Sequence, residues 1–135
     1  MYKRQVFDST VQKVLVPLDV TTTVSINMDE IRAAADSQND LARYMVSATQ
    51  GWVEALKVLS GQETFNPHDP IALSYLVKPE LFETRQMQIL VEERTGKMSG
   101  IACREGSTLV CLRVDGPGFK KLFLESLKKT AQSVN

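Results

Sequence analysis

The tripeptide His68-Asp69-Pro70 sets the chain's single imidazole beside a carboxylate. A carboxylate can hold a hard cation, and an imidazole can pass a proton near neutral pH. Side by side at a helix start, the two suit a bond cleavage that needs charge held and a proton delivered. A plainer account also fits. Asp69 would be a helix N-cap, Pro70 the first helical residue, and His68 a partly solvated loop residue. The tripeptide alone leaves both open. Glycine-rich phosphate loops, HExxH, CxxC and GxSxG are all absent from the sequence, and with them the chemistries they carry. One histidine cannot build a multi-histidine metal site.

The elements around this tripeptide follow from periodicity. Val14 to Val20 is rich in β-branched residues and reads as a buried strand, with Pro17 at its edge or a bend. Asn27 and Glu30 have capping-box spacing, which predicts a short helix through about Asp36. Leu41, Tyr44, Met45, Ala48, Trp52, Ala55, Leu56 and Leu59 recur every three or four residues, one apolar face of a long amphipathic helix. Ser37 can cap its start and Gly61 can end it in a left-handed conformation. Trp52 falls on this stripe, so core packing is its plain assignment, and Tyr44 and Tyr75 also read as core residues. Ile71 to Val77 reads as another helix, stopped by Pro79, with Pro79 to Phe82 as a single turn.

From Gln88 the period shortens to that of strands. Gln88 to Glu93, Lys97 to Arg104 and Thr108 to Val114 form a small meander with turns at Thr95-Gly96 and Glu105-Gly106. Phe119, Leu122, Phe123 and Leu127 mark a closing helix after Gly116-Pro117-Gly118. Strand, helices, hairpins and helix together indicate an α/β or α+β layer arrangement. One strand and a small meander are little sheet for two apolar helix faces, which hints at part of something larger.

The 135 residues, 43% hydrophobic and 24% charged, suit one globular unit, residues 1–135. Sixteen basic residues balance sixteen acidic ones, so no global field draws the chain to nucleic acid. The basic pairs Lys120-Lys121 and Lys128-Lys129 suit a solvated helix, and no nucleic-acid partner is expected. The longest uncharged stretch, Tyr44 to Val53, is ten residues, against about 20 needed to span a bilayer. No secretory signal is visible, and no membrane partner is expected. A turn at Glu105-Gly106 would offset Cys103 and Cys111 on neighbouring strands, beyond the roughly 7 Å reach of a disulfide. Two reduced thiols and a cytoplasmic setting are therefore expected.

Three segments in order carry a family resemblance. Lys13 to Thr21 (KVLVPLDVT), Asn66 to Val77 (NPHDPIALSYLV) and Pro79 to Phe82 (PELF) resemble inosine/uridine-preferring nucleoside hydrolases. The resemblance implies the C-terminal part of a Rossmann-like open-sheet α/β fold. It also implies hydrolysis of the N-glycosidic bond of a nucleoside substrate, with a Ca2+ cofactor held largely by an N-terminal DxDxxxDD motif. Asp69 would correspond to the family's late calcium-binding aspartate, which also touches the ribose. His68 would correspond to the histidine that helps the base depart, and Trp52 lies where the family often lines the base pocket with aromatics.

The DxDxxxDD motif and the EFN-type segment are absent from this sequence. Calcium takes six to eight oxygens and Asp69 offers at most two. Asp19, Asp29, Asp36 and Asp40 lack calcium-loop spacing. The chain opens where the family has a helix, so it is expected to be the C-terminal portion of a longer hydrolase, inactive by itself. A natural short paralogue acting as a binding or assembly module is the alternative, and an unrelated domain with Asp69 as a mere cap is a third. Many relatives are homo-oligomers, but no feature here fixes an assembly.

Overall fold

The computed structural model describes residues 2–35, 40–91 and 101–129. In chain order these form α1 (Tyr2–Asp8), β1 (Lys13–Leu15), α2 (Leu18–Thr21), β2 (Ile26–Asn27), α3 (Met28–Ala34) and α4 (Asp40–Ser60). Then come β3 (Thr64–Phe65), α5 (His68–Val77), a 3-10 turn (Pro79–Leu81), β4 (Phe82–Val91), β5 (Ile101–Val114) and α6 (Gly116–Lys129). The fold is mixed α/β, as the element order implied.

A three-stranded sheet runs β1-β5-β4. β1 lies parallel to β5, with Val14 opposite Leu109, and β4 lies antiparallel to it, with Phe82 opposite Val114. The expected meander of three short strands is therefore corrected to one long hairpin with a parallel strand beside it. No turn forms at Glu105-Gly106. Instead the register jumps between Met87↔Thr108 and Gln88↔Arg104, so residues 105–107 of β5 have no counterparts on β4. Such a bulge absorbs glycine and surplus residues without reversing the chain. Both cysteines consequently sit on β5, eight residues apart. At about 3.3 Å per residue that is roughly 26 Å along an extended strand. Cys111 is free and buried, and burial pushes its thiol up to about 11. The expected Ser37 cap, Asp36 and the Thr95-Gly96 turn lie outside the described residues.

The Val14–Val20 run divides at its proline. β1 ends at Leu15, and Pro17 precedes the helical turn α2. Proline lacks the N–H that would extend the ladder, and its fixed φ suits a helix start. The Pro17 carbonyl accepts from the Val20 and Thr21 amides, each at 3.1 Å. At α3 the expected capping box is present: Asn27 Oδ1 accepts from the Glu30 amide and Glu30 Oε2 from the Asn27 amide, both at 2.9 Å. Glu30 also pairs with Lys120 on α6 at 2.9 Å. Burial raises the Glu30 carboxyl, but the Asn27 amide and the Lys120 ammonium outweigh it and hold the group below its ordinary value.

The core forms where α3, α5 and α6 meet the sheet, around Ile26, Ile71, Cys111 and Phe119. Tyr75 packs edge-on against Phe82, centroids 5.5 Å apart, so the core assignment of Tyr75 stands. Asp115 immediately precedes α6, and its carboxylate accepts from the Gly118 amide at 3.1 Å. A Cβ on Gly118 would crowd that same carboxylate and come within 2.7 Å of Leu81.

α4 forms as predicted and ends at Gly61 with φ of 72°. Its buried face overlaps the predicted one only in part. Ala42 and Val53 are buried, with Met45 and Val46 packed partly against the core. Tyr44 is 70% exposed, Trp52 57% and Leu59 80%, which corrects the core assignment of Tyr44 and of the stripe through Trp52. Two apolar stripes lie about one residue apart in phase, and periodicity cannot say which one packs. Among the described residues, no helix is long and apolar enough to cross a membrane.

Candidate functional site

α5 starts at His68, three residues earlier than its apolar pattern suggested. Pro67 occupies the cap position and no side chain caps the terminus. Asp69 is therefore not the N-cap but lies inside the first turn, where the helix dipole favours its negative charge. Pro70 is tolerated beside it because first-turn amides have no intrahelical acceptor to lose. The plainer account of Asp69, that it serves as a cap, thereby loses its hydrogen bond.

The α2 segment grips this helix start from below. Thr21 Oγ1 lies 2.7 Å from His68 Nδ1 and 3.2 Å from the Leu18 carbonyl. Asn66, just before the helix, donates its side-chain amide to the carbonyls of Thr22 at 3.2 Å and Val24 at 2.7 Å. The Asn66 carbonyl in turn accepts from the His68 amide at 2.9 Å. Thr21 is 3% exposed, whereas His68 and Asp69 both face solvent. A buried hydroxyl thus holds an accessible imidazole by one nitrogen and leaves Nε2 to meet a ligand.

Asp69 also stands at the rim of a cleft of about 690 Å³ between α5 and α6. Leu73, Val77, Phe119 and Phe123 line its apolar interior, and Asp69 is its one charged lining residue. The structure therefore brings His68 and Asp69 together on one helix end. Trp52 sits mid-way along α4. The two more polar clefts beside α4 are lined by Gly51, Val53 and Glu54 rather than by Trp52.

Thr21 and Asn66 were not singled out from sequence, although both lie within the segments quoted above. The available signal was a polar side chain closing an apolar run, at KVLVPLDVT and before PHDP. As a cation site the set is incomplete. Among the described residues, no three histidine, cysteine or acidic side chains converge on one point. Asp19, Asp29 and Asp40 do not join Asp69 there, and its two oxygens fall short of the six to eight that calcium takes.

Residues 3–121 match the family model described as inosine-uridine preferring nucleoside hydrolase. Among solved structures, the chain is similar to a purine-preferring ribonucleoside hydrolase from Gardnerella vaginalis, with 21% identity and a TM-score of 0.83. That match covers 94% of this chain and 43% of the other. A plant nucleoside hydrolase, the PpNRh1 enzyme, matches at 16% identity and a TM-score of 0.73, covering 91% of this chain and 43% of that one. The chain thus spans less than half the length of either structure. No curated protein matches it.

Proposed function

Because the chain belongs to the inosine-uridine preferring nucleoside hydrolase family, we propose that its residues serve hydrolysis of the N-glycosidic bond of ribonucleosides to ribose and free base. The observation that supports this most directly is the pairing at the start of α5: an accessible Asp69 carboxylate next to an accessible His68 whose Nδ1 is held by Thr21. Loss of a base leaves positive charge on the sugar and negative charge on the departing nitrogen. Asp69 stabilises the first. His68 answers the second by giving a proton from Nε2.

Asp69 would be this chain's contribution to a calcium site whose other ligands come from outside the described residues. On this reading the chain alone binds calcium weakly and does not turn over nucleosides. Trp52 as a wall for the base belongs to the same reading and is supported by the exposure of its ring. As the only tryptophan, it should report nucleoside binding through its fluorescence.

The test begins with the DNA upstream of the Met1 codon. An in-frame extension carrying DxDxxxDD is expected, and the extended protein should release ribose from inosine or uridine in a calcium-dependent manner. Ribose release by the 135-residue chain alone would overturn its proposed inactivity. An extended protein that releases no ribose from any ribonucleoside would overturn the catalytic assignment. A ribosome-binding site directly before Met1 would instead favour a non-catalytic binding or assembly module.

A further inference from the structure

We infer that Thr21 is the positioning residue for His68, fixing which imidazole nitrogen keeps its proton and which one meets the substrate; this deepens the reading of His68 as proton donor and rests on it. Three observations converge. The Thr21 hydroxyl is 2.7 Å from Nδ1 and 3.2 Å from the Leu18 carbonyl, so it stands between a ring nitrogen and a backbone acceptor. Thr21 is buried, its amide is tied to the Pro17 carbonyl, and its β-branched side chain has few rotamers. His68, by contrast, faces solvent and has no comparable packing of its own.

A hydroxyl carries one hydrogen. The protonated imidazole that can give up a proton has N–H on both nitrogens, so Nδ1–H must donate to Thr21 and the Thr21 hydrogen must point to the Leu18 carbonyl. When Nε2 then passes its proton to the departing base nitrogen, that nitrogen leaves with the electron pair of the glycosidic bond. Water adds to the anomeric carbon and releases one proton, so one water is consumed per base released. The imidazole ends neutral with its proton still on Nδ1. Nothing in the Nδ1–Thr21–Leu18 chain has to turn round. The hydrogen bond made by one ring nitrogen thus determines the state of the other.

The single histidine makes the test direct. In the 135-residue chain labelled with 15N-histidine, under alkaline conditions in which the ring is neutral, the side-chain correlations should place the proton on Nδ1. Thr21→Val keeps the shape and removes the hydroxyl, and should shift the proton to Nε2. Thr21→Ser should restore the Nδ1 signature, which a role in packing alone would not do. A wild-type ring protonated on Nε2, or a Thr21→Val spectrum identical to wild type, would overturn the inference. Should Thr21→Val not fold, the wild-type and Thr21→Ser spectra decide it. No nucleoside is needed, so this result and ribose release by the extended protein fail independently. In that extended protein Thr21→Val should lower kcat by about 10- to 100-fold with KM nearly unchanged.

Discussion

The start of α5 and the middle of α4 look alike in sequence, since each carries an aromatic or imidazole ring on a helix rich in apolar residues. They differ in what holds the ring. At α5, His68 is fixed by Thr21, and the preceding Asn66 is fixed by two backbone carbonyls of the α2 segment. On α4, Trp52 stands 57% exposed on a stripe with Tyr44 and Leu59 while the helix packs through Ala42 and Val53. An apolar repeat specifies that a helix forms, but only partners from elsewhere in the chain specify which side chains are held. A candidate site is therefore better recognised by its polar ties than by its place on a stripe.

The following substitutions sharpen that contrast. Phe119→Ala empties the core beneath the α5–α6 cleft, and denaturant unfolding should register a loss of about 3–5 kcal/mol. Asp69→Asn in the extended protein should cut ribose release by at least about 100-fold. Because Asp69 caps nothing, Asp69→Ala should alter stability by no more than about 0.5 kcal/mol. A loss of about 1 kcal/mol or more in Asp69→Ala would bring back the capping role and break the comparison.

Asn27→Ala removes one arm of the α3 capping box and should cost about 1 kcal/mol in urea unfolding. Its partner Glu30 has a folded pKa below the ordinary 4.5. Its contribution is therefore present above that value and lost as pH falls through the lower folded one. Acid titration of Lys120→Met, which removes the ammonium that helps lower Glu30, should show that loss reduced. On α4, a Cβ at Gly51 meets nothing within 4 Å, so Gly51→Ala should stabilise the helix by about 0.8 kcal/mol. Trp52→Ala should change stability least, by about 0.5 kcal/mol or less. A Trp52 loss above 2 kcal/mol would mean that its stripe packs after all.

Much of this was legible from residue types. The Asn27–Glu30 box, the Gly61 end of α4, the closing helix and the His68-Asp69 pairing follow from local chemistry, and local chemistry is what a sequence displays. The misreadings share a different cause. Whether Glu105-Gly106 turns or bulges depends on which strand lies opposite, and β4 proved long enough to continue past it. The burial phase of α4 depends on what α3 and the core offer to it. Asp69 reads as a cap only while the helix is taken to start after it, and Ile71 N–H already bonds to the Pro67 carbonyl at 3.0 Å. Thr21 and His68 are 47 residues apart, and no local rule joins them.

Gly118 has the opposite character to Gly51, and this bears on how sequences with this fold can drift. Any side chain at position 118 would have to displace the carboxylate that caps α6 and the Leu81 methyl beside it. A saturation scan should therefore find that side chains at 118 cost the α6 cap, ~1 kcal/mol, well short of the loss at Phe119, so α6 keeps its capped start only while that one position stays empty.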